Sequence, residues 1–307
     1  MLRRVGLALS AFAAILLAVA WVISQNILHP KPRVEKHTLA DFDLAPEPVT
    51  FYSRDGIRLA GWFLAAEGPE RRHPLVVLSH GWARSHAELL PHADLLHRAG
   101  FSVLLFDYRH RGESAGDACT LGIREQADLL GALDAMEARA DVDVNRIAVL
   151  GLSTGSVIAI LAGAQDERIR AIVAESPFAS HDVIMTRSLR RFYHLPRVPF
   201  GLAARWVIER RVGEPLEAGE AGRVIQRFSP RPIFVIADEQ DEVLGPDEAG
   251  RLFELAAEPK RLWSIAGADH ARGWQAAPEE YERRVVAFLN EALAPEAVSK
   301  EQAGAVP

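Results

Sequence analysis

The 307-residue chain has one cysteine, Cys119. A single thiol excludes an intrachain disulfide and any zinc cluster or disulfide framework built from cysteine. It leaves the compartment open, because a large domain can do without disulfides in either redox environment. An excess of basic charge is also missing. The 35 basic residues face 41 acidic ones, for a formal net charge of −6, and this argues against nucleic acid as a partner. No internal repeat is present. The remaining composition is 49% hydrophobic and 25% charged, with 22 glycines and 18 prolines. Those fractions exclude disorder, collagen and a pure coiled coil. A mass of 33.7 kDa suffices for one large domain or two small ones with a filled core.

The first residues differ in kind from the rest. Arg3 and Arg4 precede an apolar run from Val5 to Ile23 whose only polar side chain is Ser10. As a helix, such a run covers roughly 30 Å, the hydrocarbon thickness of a bilayer. It is apolar on every face, which disfavours a buried core helix. A cleaved signal peptide competes, since Ala18-Val19-Ala20 fits a small-x-small site. Trp21-Val22-Ile23 prolong the run past that site, so an uncleaved anchor over residues 1–27 is the preferred expectation. Basic residues nearly balance across the span, Arg3 and Arg4 against Lys31, Arg33 and Lys36. An extracytoplasmic catalytic domain is slightly preferred. Residues 28–47, with Pro30, Pro32 and Pro46, read as a linker.

Beyond the linker, strand and helix signals alternate. Val49–Ser53 and Ile57–Leu64 flank Asp55-Gly56, a hairpin signal. Short apolar runs follow at 75–78, 101–106, 147–150, 169–174, 233–236 and 262–265, as strands buried on both faces require. Helical stretches are expected at 84–99, 121–139, 154–165, 247–257 and 279–293. This alternation implies an α/β domain over 48–293, a mostly parallel sheet with helices on both faces. Its ligand crevice should lie at the C-terminal strand ends. Residues 294–307 read as a frayed tail.

Gly151-Leu152-Ser153-Thr154-Gly155 is a G-x-S-x-G pentapeptide. Alone, such a match arises by chance in roughly one chain of this length in ten. Here it directly follows a buried strand and directly precedes a helical run. A sharp strand-to-helix turn exposes the serine hydroxyl and demands glycine on both flanks. The helix N-terminus behind it favours a developing oxyanion. A serine needs a base, and the base needs an orienting acid. His270, just past the last strand, is the chosen base, with His80, His110, His181 and His194 as runners-up. Asp241, in Asp238-Glu239-Gln240-Asp241-Glu242 after the preceding strand, is the chosen acid, with Asp238 second. The order Ser153, Asp241, His270 is that of a nucleophile-elbow architecture.

At this point the sequence resembles the α/β-hydrolase superfamily over about residues 48–293. Ser79-His80-Gly81-Trp82 looks like its oxyanion-hole segment. The resemblance implies that the backbone N–H groups of Trp82 and Thr154 form the oxyanion hole. Asp107–Ser114 resembles its D-x-R-G-x-G-x-S turn, with His110 at a position usually glycine. Asp238–Asp241 resembles its G-x-x-D acid segment, with Asp238 in place of the glycine. The anchor and loop pattern look most like membrane-anchored, lysophospholipase-like or serine-aminopeptidase-like serine hydrolases. The implied reaction is serine acyl transfer with no metal and no organic cofactor.

An insertion over about 177–230 fits no strand-helix repeat and should cap the crevice. It interleaves Phe192, Val198, Leu202 and Trp206 with Arg187, Arg190, Arg191, Arg197, Arg205, Arg210 and Arg211. It reads as an amphipathic cap with a solvated charged face or, second, as an apolar acyl-binding lid that touches anionic headgroups. The expected substrate is a small-molecule carboxylic ester or thioester with an apolar acyl group. Amide hydrolysis is the alternative, with Glu214, Glu217 or Glu220 as candidate binders of a substrate amine. A non-catalytic binding protein on the same fold is the minor one. Cys119 is expected in a loop and has no assigned role.

Overall fold

A computed structural model describes residues 1–295. Most of the tail expected over 294–307 lies outside the described residues. Eight strands form one sheet: β1 (Glu47–Tyr52), β2 (Arg58–Leu64), β3 (His73–Ser79), β4 (Ser102–Phe106), β5 (Val142–Leu152), β6 (Ile169–Glu175), β7 (Ile233–Asp238) and β8 (Lys260–Ile265). The order is β1-β2-β4-β3-β5-β6-β7-β8. β2 pairs antiparallel with β1 and β4, and every other pairing is parallel. Asp55-Gly56 turns the β1–β2 hairpin, with Gly56 at φ +85°.

The central strands are apolar on consecutive residues because both faces are covered. Leu75, Val76, Val77 and Leu78 of β3 are all fully buried. Each such side chain contributes roughly 1.5–3 kcal/mol of burial. One face packs under α3 (Glu125–Glu137), α4 (Thr154–Gly163) and α7 (Asp247–Leu255). The other packs under α2 (Leu90–Arg98) and α9 (Pro278–Ala292).

Two helices start later than their sequence signals. The stretch from 84 is a loop and a short 3₁₀ turn until α2 begins at Leu90, beside Pro91 in its first turn. Proline favours that first turn, where its missing N–H costs nothing. α3 begins only at Glu125, because Gly122 sits at φ +92°. The Glu125 carboxylate accepts from the Thr120 hydroxyl and the Gly122 N–H instead.

Between β6 and β7 the chain makes α5 (His181–Ser188), α6 (Leu202–Val212) and several short turns. These form a third core with the N-terminal helix α1 (Leu2–Leu28). Ala20, Ile23 and Leu28 of α1 are buried there against Ala204, Val207 and Ile208 of α6. α1 is long and apolar enough to cross a membrane.

Candidate active site

β5 ends at Leu152 and α4 starts at Thr154, so Ser153 occupies the whole turn, at φ +54° and ψ −119°. Positive φ in a residue other than glycine is a strained conformation that the surroundings must hold. The Ser153 N–H donates to the Glu175 carbonyl at 2.9 Å. The Ser156 hydroxyl donates towards the carbonyls of Gly151 (2.6 Å) and Glu175 (2.8 Å). The Ser79 hydroxyl reaches the Gly155 carbonyl at 2.8 Å.

The turn points the Ser153 hydroxyl at the loop after β8. Ser153 Oγ lies 2.8 Å from His270 Nε2, and His270 Nδ1 lies 2.7 Å from Asp241 Oδ2. Asp241 Oδ1 accepts from the N–H groups of Val243 (2.8 Å) and Leu244 (2.7 Å). Burial alone would raise the Asp241 carboxyl. The bonds from His270 and the two amides outweigh it and hold the acid below its ordinary range. An ionised Asp241 fixes Nδ1 as the protonated nitrogen and leaves Nε2 free to accept from serine.

The runner-up residues lie elsewhere. Asp238 does not bond the His270 ring. Its Oδ2 accepts from the Ala271 N–H at 2.8 Å and from the Ser176 hydroxyl, which pins the backbone after His270. His80 is buried, with Nδ1 on the Gly81 carbonyl (2.8 Å) and Nε2 accepting from the Tyr108 N–H (3.1 Å). Burial pushes its pKa down to about 4, so it is a neutral structural ring. His110 stands at φ +62° in the Asp107–Ser114 turn, the backbone its glycine-like position requires. His181 Nε2 bonds the Leu121 carbonyl at 2.9 Å, and His194 is the left-handed residue after the Leu189–Tyr193 turn.

The Ser79–Trp82 segment passes beside the serine at Gly81. A Cβ placed on Gly81 would sit 3.7 Å from Ser153 Cβ. The Gly81 N–H is already taken by Glu88 Oε2 at 3.0 Å, so Trp82 carries the next donor along the loop. Thr154 is the first residue of α4, where a helix leaves the N–H without an intrahelical partner. Burial raises the Glu88 carboxyl, although the Arg84 guanidinium 3.0 Å away opposes this.

Several residues at the site had no sequence signal. Glu35 in the linker bonds Arg84 Nη1 (3.1 Å) and the Ser85 N–H (3.2 Å). The Trp82 indole donates to the Ile27 carbonyl at 3.1 Å. The end of α1 and its linker thus strap the Trp82–Ser85 loop. Behind His270, Glu175 accepts from the Gly273 N–H (2.8 Å) and bonds the Tyr281 hydroxyl (2.6 Å). No sequence spacing links these positions, which only the tertiary fold brings together.

Burial, and then the charge of Asp238, push Glu175 up to about 8. A raised carboxyl stabilises the fold below the ordinary carboxylate pKa. That contribution drains away as pH climbs towards about 8, because the unfolded chain ionises first. Glu175→Gln does not titrate. Its melting temperature relative to wild type should therefore rise between pH 5 and pH 8, read by calorimetry at both. A constant difference would show that Glu175 is already ionised at pH 5.

Among the described residues, no group of three or more His, Cys, Asp or Glu side chains could hold a metal ion. Cys119 lies in a loop as expected and is buried, its thiol pushed up to about 11 chiefly by desolvation.

An eight-stranded, mostly parallel sheet with a serine turn at a central strand end is the architecture of an α/β-hydrolase. The chain belongs to the α/β-hydrolase superfamily and is a hydrolase. Residues 70–214 match the family model described as "Serine aminopeptidase, S33". The Rv2307c protein of Mycobacterium tuberculosis (strain H37Rv) is 30% identical over 228 residues, which cover 74% of this chain and 73% of the relative. The YfhR protein of Escherichia coli O157:H7 is 29% identical over 255 residues, 81% of this chain and 82% of the relative. Among solved structures, the Pyrococcus furiosus esterase Pf2001 is similar with a TM-score of 0.67 and 26% identity. That match covers 86% of this chain and all of the esterase. Est1E from Butyrivibrio proteoclasticus, solved with ferulic acid bound, shares the fold at a TM-score of 0.64 and 19% identity, over 80% of this chain and 100% of Est1E.

Proposed function

We propose that the protein is a serine hydrolase of carboxylic esters or thioesters, held at a membrane by α1. The observation that carries the reading is the continuous chain of hydrogen bonds from Ser153 through His270 to Asp241. His270 Nε2 takes the Ser153 proton as Oγ attacks the acyl carbonyl. The N–H groups of Trp82 and Thr154 receive the oxyanion. The alkoxide or thiolate leaves with the proton from His270, and an acyl-Ser153 forms. Water, deprotonated by His270, then releases the acid.

Esters are favoured over amides because, among the described residues, the three cap carboxylates expected to grip a substrate amine are already paired. Glu217 accepts from Arg205, Glu220 from Ser180 and Arg223, and Glu214 faces Arg124 at 3.6 Å. The similarity to an esterase structure points the same way. The anchor reading is supported by the length and apolarity of α1, and by the burial of Ala20 and Ile23 in the cap. Cleavage after Ala20 would strip out part of that core.

The test is a chain-length series of p-nitrophenyl esters run against aminoacyl anilides. Esters should turn over faster by at least about tenfold, since an amide makes the poorer leaving group. Faster anilide turnover would overturn the ester assignment and favour an aminopeptidase.

A further inference from the structure

The apolar run and the free part of α1 do not coincide. Residues 2–15 are exposed throughout, whereas Leu16 and Val19 are half-buried and Ala20 and Ile23 fully buried against the cap. At 1.5 Å per residue, residues 5–15 reach roughly 16 Å. That is about half of the roughly 30 Å a span must cover. Including Arg3 and Arg4 adds only about 3 Å. A spanning α1 must therefore carry residues 16–23 into the apolar layer as well. α6 and the turn Arg197–Gly201 pack against α1, so they are drawn down to the membrane interface with it.

The cap surface there suits that depth. Leu202 and Trp206 are one helical turn apart, 51% and 50% exposed, on the side of α6 away from its buried Ala204 and Ile208. Phe192 and Val198 are 61% and 60% exposed. Phe192 adjoins Tyr193, whose hydroxyl bonds Asn26 of α1 at 3.0 Å. Guanidinium groups lie over the aromatic rings, Arg210 at 5.2 Å from the Trp206 centroid and Arg191 at 5.9 Å from that of Phe192. Single exposed apolar side chains are ordinary. Four of them on the segments beside a membrane helix, with guanidinium groups over two of the rings, match a surface whose rings sit at headgroup level.

We propose that this cap face is a second membrane contact, sunk into the leaflet that α1 leaves, and that the acyl substrate reaches Ser153 from that leaflet. The proposal rests on reading α1 as a membrane span. The Trp82 indole on the Ile27 carbonyl places the oxyanion loop at the end of the same helix, next to the interface.

The test uses the full chain in phosphatidylcholine–phosphatidylglycerol vesicles containing nitroxide lipids. A fluorophore is attached at Leu202→Cys, Leu9→Cys or Glu137→Cys, each in a Cys119→Ser background. Probes at 9 and 202 should be quenched, and the one at 137 should not. Quenching at 9 without 202 overturns the cap contact and leaves the anchor standing. Quenching at neither position removes the anchor, and the proposal falls with it. A probe at 202 that is shielded from water yet unquenched assigns the face to a second copy of the chain, which also overturns the proposal. In parallel, Leu202→Ser/Trp206→Ser should lower hydrolysis of a long-chain ester in vesicles at least tenfold and leave p-nitrophenyl acetate hydrolysis unchanged. A fall on both substrates, or on neither, overturns it.

Discussion

Ser153→Ala lowers kcat on a p-nitrophenyl ester by at least about 10⁴-fold, and a fluorophosphonate probe that labels the wild type leaves the variant unlabelled. The size follows from the role, since removing the nucleophile of a serine triad leaves only the rate supplied by the oxyanion donors and binding. The variant should fold, because Ser153 Oγ bonds only His270 among the described residues. The two acids behind His270 sharpen the result. Asp241→Asn should cost about 10⁴-fold, because an amide no longer fixes the imidazole tautomer. Asp238→Asn should cost far less, because its carboxyl holds the Ala271 backbone and not the ring. Equal losses would move the acid role away from Asp241. Equal labelling of wild type and Ser153→Ala would remove the nucleophile, and the proposed reaction with it.

The sequence was informative where one physical constraint dominates a short window. Strands covered on both faces must be apolar on consecutive residues, so runs such as 75–78 were legible. The pentapeptide 151–155 was legible because a serine in so tight a turn leaves little choice for its neighbours. Choosing among acidic residues was harder. Asp238, the last residue of β7, and Asp241, three residues on, are both buried, and only the path of the 238–244 turn decides which one meets the ring. Least legible was everything carried by distant pairings of polar side chains. Glu35 on Arg84, Trp82 on Ile27, and Glu175 on Tyr281 join segments whose spacing obeys no helix or strand period. The cap was divided. Its arginines looked like a solvated face, and many do pair with acids, as Arg205 does with Glu209 and Glu217. Its apolar residues split between the core with α1 and the exposed face around Trp206, a partition that depends on where α1 docks.

Gly155→Ala should abolish soluble folded protein or cost more than about 4 kcal/mol, among the largest effects of one substitution. A Cβ at Gly155 would stand 2.0 Å from the Ser79 carbonyl oxygen and 2.7 Å from that of His80. Both are backbone atoms at the end of β3, so no side chain can swing aside to make room. The same close approach sets the reaction geometry. α4 sits against the end of β3 because residue 155 has no side chain, and the segment that continues from Ser79 through Gly81 therefore arrives next to Ser153. Gly250→Ala in α7 is the control. No atom lies within 4 Å of a Cβ there, and in a helix alanine should gain up to about 1 kcal/mol over glycine. Urea midpoints and soluble yield separate the two cases. If Gly155→Ala unfolds at the wild-type midpoint and still takes up the fluorophosphonate, β3 and α4 have slack between them. The glycine of the pentapeptide would then need another explanation than contact.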